Sequence, residues 1–262
     1  MAEPGNELAS ISQEAAEAAA DITEAQRPQE RRKRVIEFAR SVATSSARVA
    51  GRGTRAARRA AGFGTGWLSG QVVDMAPRLR VRNQAALRAQ FPDQSAEDIA
   101  DALIEGAGRA SAAAGAAAGV WAMVPLVTTF PAEIAAETLV IVGIEIKLIA
   151  ELHEAYGVPA EGSLPERMRT YTAAWAHRRG VFTIPGGVVF AAGSPLARQL
   201  RRRLAARAGR SAFSLGPLLT GAAAGAYLNG RETRRLGREI RHDLRRHMIS
   251  GSGGWPPDAG TR

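Results

Sequence analysis

The chain has 262 residues, 45% of them hydrophobic but only 5% aromatic, and it contains no cysteine, which excludes disulfides, thiolate chemistry and cysteine-ligated metals. Alanine dominates the hydrophobic fraction, so a core must rest on close helix–helix contact instead of bulky filling, and the scarcity of period-two alternation favours helix over sheet. The net charge is +10, almost all of it arginine because Lys33 and Lys147 are the only lysines, and it implies an acidic partner surface, either anionic lipid or nucleic acid.

The charge is unevenly spread. Residues 1–26 hold six acids and no base; residues 27–60 hold eleven bases and two acids. Residues 133–161 are again acidic, with six acids and one base, and residues 162–262 carry eighteen bases and five acids. Arginine beside abundant alanine and glycine is also what a GC-rich genome encodes, so residue type alone does not argue for bidentate phosphate contacts. The acidic N-terminus has no apolar h-region, so no signal peptide is expected and the chain is placed on the cytoplasmic side of the cell membrane.

In chain order, Leu8, Ile11, Ala15, Ala18, Ile22 and Ala25 recur at spacings of three and four and predict an amphipathic helix with an acidic outer face. Pro28 interrupts it. From Arg31 a second helix is expected, with Val35, Phe38, Val42 and Val49 on one stripe among arginines: a solvated basic face or a membrane-surface helix. Residues 1–60 are read as an acidic-then-basic N-terminal extension of a helical domain at 61–249. The glycine-rich stretch 60–73 lacks the spacing of a dinucleotide-binding loop, since Trp67 stands where the third glycine belongs; a loop or interfacial turn is expected. Pro77 and Pro92 bracket a basic connector with Arg78, Arg80, Arg82 and Arg88. Ser95, with Asp98 three residues on, predicts a helix N-cap.

From Ala110 to Ala132 no residue is charged, a length that would cross a bilayer if wholly helical. Within it, Gly115 and Gly119 frame a small-xxx-small pattern that lets helix backbones approach closely, and Pro125 predicts a kink or end near Val124. A helix from Pro131 to Tyr156 is expected, with Gly157 as its C′ residue and Pro159 beyond. On it Glu133, Glu137, Lys147, Glu151 and Glu154 share a narrow polar stripe, while Glu145 lies outside it. Two more uncharged runs follow, 180–197 and 211–230; the second repeats the small-residue pattern at Gly221 and Gly225. Arg198, Arg201, Arg202, Arg203, Arg207 and Arg210 lie between these runs. A basic amphipathic helix then carries Leu236, Ile240, Leu244 and Met248 among Arg234, Arg235, Arg238 and Arg241. Residues 250–262 read as a disordered tail.

No run is a clean span, because each is rich in Ala, Gly and Pro, and the most apolar helix carries Glu145 and Lys147 near its centre. Re-entrant or peripheral association, true spans and a soluble helical core all stay open, with the first preferred.

The segment Pro131–Gly157, with Glu133 near its start and Tyr156-Gly157 at its end, follows the glycine pair Gly115 and Gly119. Further on stand Pro217, Gly221, Gly225, Asn229, Thr233 and Gly237. In these features residues 95–245 resemble the EcsC-type family of bacterial helical proteins, and the arginine-rich character resembles an actinobacterial branch of it. The family's acidic position is more often Asp, and Glu133 or Glu137 occupies it here. The resemblance implies membrane association and no particular reaction.

Catalytic and metal chemistry find little support. Glu133 and Glu137 are one turn apart, but no second carboxylate–histidine element converges on them, so a polar helix stripe explains them. The single E-x-x-H of Glu239 and His242 falls short of a di-iron set and reads as a solvated ion pair. His153 reads as part of a surface helix end. His177, Arg178 and Arg179 read either as lipid-phosphate contacts or as anchors beside an apolar run. No cofactor, metal or catalytic residue is expected.

The sequence therefore predicts an all-α domain with Gly/Ala-rich helical hairpins flanked by basic amphipathic helices. The expected role is non-catalytic interaction or membrane organisation at an anionic membrane surface. A protein partner or a second copy of the chain stays open as a further contact. Nucleic-acid binding is the competing reading, disfavoured because the arginines flank apolar runs and no binding motif is present.

Overall fold

In the computed structural model the described residues are 4–25, 27, 29–31, 33–34, 37, 65–121, 130–184, 187–190 and 216–250. They form an all-α fold: α1 (Pro4–Glu24), α2 (Thr65–Met75), a 3-10 turn (Ala76–Arg78), α3 (Gln84–Gln90), α4 (Ala96–Trp121), α5 (Phe130–Ala155), α6 (Leu164–Arg179) and α7 (Gly216–Ser250). One short antiparallel hairpin, β1 (Val181–Ile184) and β2 (Gly187–Phe190), pairs Val181 with Phe190 and Ile184 with Gly187.

The helix termini follow local chemistry. Ser95 caps α4: its hydroxyl accepts from the Asp98 N–H at 3.1 Å, and the Asp98 carboxylate accepts from the Ser95 N–H at 3.2 Å. Asn83 caps α3 by accepting from the Ala86 N–H at 2.9 Å. Ser163 and Glu166 form the same kind of box at α6, whose C-terminus closes on left-handed Gly180. α5 stops at Gly157, whose φ of +71° is cheap only for glycine. The last carbonyls of α1 are held by Arg31, which donates to Ile22 O at 3.3 Å and Ala25 O at 2.6 Å.

α5 is the central helix. Helices α1, α2, α3, α4, α6 and α7 all pack on it, and from Thr138 to Tyr156 it is buried except at half-buried Ile141. This follows from its composition, apolar nearly all round, which only a core position satisfies. α4 and α7 form the closest helix pair and run antiparallel, with Glu97 beside Arg245, Ile104 beside Gly237 and Gly115 beside Gly225.

Several expectations need correction. The stretch 60–73 is not a loop where it is described: Thr65 onward is helix, because Val72 and Met75 are fully buried and that packing overrides the poor helix propensity of Gly66 and Gly70. The run 180–197 was expected in helical hairpins, yet its described part is β-hairpin. The β-branched and aromatic residues Val181, Phe182, Thr183, Ile184, Val188, Val189 and Phe190 favour strand. The helix assigned to an extension, α1, belongs to the common core. Ala15, Ala16, Ala19 and Ile22 are buried, and α1 sits close on α5 because Gly143 has no side chain; a β-carbon there would stand 3.0 Å from that of Ala19. The arginines Arg198, Arg201, Arg202 and Arg203, and the tail 251–262, lie outside the described residues.

Candidate functional site

Charge is segregated along the α4/α7 pair. α4 carries Glu97, Asp98, Asp101, Glu105 and Arg109 in its first half and nothing charged from Ala110 to Trp121. α7 reverses this order, uncharged from Gly216 to Gly230 and strongly basic afterwards. Because the helices are antiparallel, both uncharged halves lie at the same end of the bundle. Pro131, Glu133 and Glu137 lie in the first turns of α5, eight residues beyond the end of α4 along the chain.

Along its length the α4/α7 seam carries small residues. Gly221, Gly225, Asn229, Thr233 and Gly237 are spaced by four on α7, so they fall on one ridge; Gly119 and Gly115 lie on the facing part of α4. A β-carbon at Gly115 would stand 3.0 Å from the Gly225 carbonyl oxygen and would overlap the Asn229 amide nitrogen. One at Gly230 would stand 2.8 Å from the Gly108 carbonyl oxygen, and one at Gly237 would meet Ile104 at 2.7 Å. At Gly115 and Gly230 backbone comes against backbone, the geometry that small residues permit, whereas Gly237 makes room for the Ile104 side chain.

The middle of the seam opens onto a buried polar cluster that includes Glu145. The Glu145 carboxylate accepts from Trp175 Nε1 at 2.8 Å and from Arg179 Nε at 3.0 Å, and a second Arg179 nitrogen bonds its other oxygen. The Thr233 hydroxyl lies 3.0 Å from Glu145 and 2.9 Å from the Ser111 hydroxyl; with one proton to give, it donates to the carboxylate and accepts from Ser111. Burial opposes the Arg179 charge, but Glu145 outweighs it and holds the guanidinium pKa above its ordinary value. Glu145 is thereby satisfied, as a buried carboxylate must be.

A second cluster anchors the connector between α2 and α3. Lys147, fully buried, donates to Glu151 at 2.5 Å, to Glu24 of α1 at 3.2 Å and to the Arg80 carbonyl. Arg82 grips Glu151 bidentately at 2.6 and 2.8 Å, and the Gln84 N–H donates to Glu154 at 3.1 Å. Burial acts against the Glu151 charge, but Arg82 and Lys147 outweigh it, and its pKa sits below the usual carboxylate value. The polar stripe predicted on this helix is therefore buried where it is described, neutralised by the Lys147–Glu151 pair within it and by Arg82, Glu24 and Arg167 from other elements. A cleft of about 440 Å³ beside it is lined by Asp21, Glu24, Ala25, Glu30, Lys33 and Arg34. Its charges already engage one another: Arg34 lies 3.5 Å from Asp21, and Glu24 serves Lys147.

His153 is no surface residue. It is fully buried, its Nδ1–H donates to the Ile149 carbonyl at 2.7 Å, and its ring centroid lies 5.0 Å from that of Tyr171. Desolvation lowers its pKa to about 4, so it is neutral near pH 7. Tyr156 is buried next to the Glu97–Arg245 pair, and burial with that carboxylate pushes its phenol up to about 12.

The basic half of α7 also differs from expectation. Arg234 pairs with Glu105 at 3.0 Å, Arg241 with Asp101, and Arg245 with Glu97 at 2.7 Å, all across to α4. Arg235 pairs with Glu239 on its own helix at 2.9 Å, while His242 is exposed. On α6, Arg178 pairs with Asp243 and Arg179 with Glu145, so neither stands as a free lipid contact. Of the four arginines singled out on α7, only Arg238 is without a partner among the described residues. The sequence reading missed the Glu145–Trp175–Arg179–Thr233 cluster. Its faint signal was a carboxylate in an apolar helix and a Trp and an Arg four residues apart.

Among the described residues no group of three or more His, Asp or Glu is arranged to hold a metal ion, and no helix is long and apolar enough to cross a membrane. Compared with known proteins, the chain matches no family model, no curated protein and no solved structure.

Proposed function

We propose that this protein is a membrane-associated helical protein that dips the uncharged end of its α4/α7 pair into one leaflet and acts there without catalysing a reaction. The observation that carries the reading is the lengthwise segregation of charge on two antiparallel helices. The uncharged parts span 110–121 on α4 and 216–230 on α7, about 18 and 22 Å of helix at 1.5 Å per residue. The hydrocarbon core is about 30 Å thick, so these ends reach into it without crossing. Tyr227 and Leu228, 67% and 46% exposed, mark the boundary, where an aromatic residue suits the interface. The glycine seam supports the same reading, since close backbone packing holds helices together where lipid supplies no hydrophobic drive.

The resemblance of Pro131–Gly157 and Pro217–Gly237 to the EcsC-type family adds to it, and we place the chain there as part of the proposal. Nucleic acid fits less well, because Arg234, Arg241 and Arg245 are engaged by α4 carboxylates.

Vesicle flotation tests the proposal. The full chain should float with phospholipid vesicles and resist a high-salt wash. The double variant Tyr227→Asp/Leu228→Asp should lose most of that binding while melting at the wild-type temperature, because both side chains are exposed. A wild-type chain that stays at the bottom of the gradient with vesicles of every composition would overturn the reading.

A further inference from the structure

The arginines of α7 divide by their partners, and Arg235 and Arg246 pair with Glu239 and Asp243 of their own helix. Arg234, Arg241 and Arg245 turn toward α4 and are taken up by its carboxylates. Arg231 and Arg238 are exposed, and neither has an ion-pair or hydrogen-bond partner among the described residues. At 100° per residue, Arg231, Arg234, Arg238, Arg241 and Arg245 all fall on one stripe within about 40° of Tyr227 on the helix circumference, and of these five only Arg231 and Arg238 lack a partner among the described residues. Along the axis Arg231 stands about 6 Å from Tyr227 toward the charged half, and Arg238 about 16 Å.

We infer that this stripe is a lipid-headgroup contact, with Arg231 bonding the phosphates of anionic phospholipids and Arg238 acting on them at longer range. The inference rests on the membrane reading above and adds a chemical preference to it. With Tyr227 at the edge of the hydrocarbon, Arg231 falls in a headgroup layer about 5–7 Å deep. Arg238 stands about 10 Å beyond Arg231, near one Debye length, where its attraction to the surface is weakened but not lost. A guanidinium free of internal partners can offer its fork to phosphate, whereas Arg234, Arg241 and Arg245 must first leave Glu105, Asp101 and Glu97. The lengthwise order of uncharged helix, aromatic boundary and unpaired arginine is the order of a leaflet.

The test is binding of the full chain to vesicles of phosphatidylcholine alone and of phosphatidylcholine mixed with phosphatidylglycerol. Wild type should prefer the mixed vesicles. Arg231→Gln should weaken binding to them by about fivefold, as expected for one arginine at an anionic surface, and leave binding to phosphatidylcholine unchanged. Arg238→Gln should have a smaller effect in the same direction, and Arg234→Gln almost none. All three positions are at the surface or rim, and a melting curve for each checks that the fold survives.

If wild type binds both vesicle types equally, or Arg231→Gln binds as wild type does, the headgroup contact is wrong while leaflet insertion stands. If wild type binds neither vesicle, both readings fall. If Arg231→Gln instead loses affinity for a short DNA duplex and keeps its affinity for vesicles, the stripe serves nucleic acid and the inference is overturned.

Discussion

In one half of the α4/α7 pair, Leu236, Ile240 and Leu244 pack against Ile99, Leu103 and Ile104, and a rim of three arginine–carboxylate pairs closes the edge. The other half carries no charge in its sequence, and among its described residues Gly115, Gly225 and Gly230 bring the two backbones into contact. The first half is built as a water-soluble helix pair, with the hydrophobic effect at its centre and ions at its rim. The second achieves cohesion by contact alone, which works equally well whether the outer faces meet water or lipid. One pair of helices thus changes its packing principle partway along its length, and the Glu145 cluster sits near the change.

That cluster gives the largest expected effect. Arg179→Met would leave the Glu145 carboxylate buried with only Trp175 and Thr233 to serve it. Breaking a buried pair from one side costs about 3–5 kcal/mol, so the variant should lose that much in urea denaturation. The double variant Glu145→Met/Arg179→Met removes the stranded charge and should recover a large part of the loss. A loss below about 1 kcal/mol for Arg179→Met would mean the pair behaves as a surface ion pair and the junction is not a buried one.

The glycine half is tested by two substitutions that differ only in what the new methyl meets. At Gly230 it would meet the Gly108 carbonyl oxygen at 2.8 Å, a backbone atom that cannot step aside unless the helices separate. Gly230→Ala should therefore cost about 1–3 kcal/mol, the usual range for overpacking. At Gly225 the nearest atom is the Gly115 carbonyl oxygen at 3.6 Å, an ordinary contact. Gly225→Ala should be neutral or stabilise by up to about 1 kcal/mol, because alanine is the better helix former. Thermal melts of the two variants should move apart; equal shifts would show that the helices are not held at backbone contact.

Much of this was legible in the sequence, and the parts that were not share a cause. Ser95 with Asp98 and Gly157 are local signals that mark a helix cap and a helix end, and Gly115 and Gly225, one glycine from each GAAAG segment, meet across the seam. What the sequence did not disclose was which faces meet. Glu145 finds Arg179 and Thr233 at separations of 34 and 88 residues, and no periodicity on α5 encodes either. The same holds for the arginines of α7. Their number is plain in the sequence, but three are drawn to α4 by carboxylates more than a hundred residues away, and only packing tells these from Arg231 and Arg238. The hairpin at 181–190 was misjudged for a different reason. Its lack of charge outweighed its β-branched composition, although the composition was the better guide.

The smallest effect belongs to the ion-pair rim, and it closes the comparison from the charged side. Arg241 keeps its side chain 17% exposed, but its partner Asp101 is 68% exposed, so the pair sits in high dielectric and holds one flexible, solvated side chain. Arg241→Gln should cost less than about 1 kcal/mol. In a domain of this size that lowers the melting temperature by no more than about 2–4 °C. Added salt should shrink even that difference, because screening weakens the wild-type pair and leaves the glutamine untouched. A cost equal to that of Gly230→Ala, insensitive to salt, would mean that the rim and not the Leu236–Ile240–Leu244 wedge holds this half. The two halves would then no longer differ in the way their residues imply.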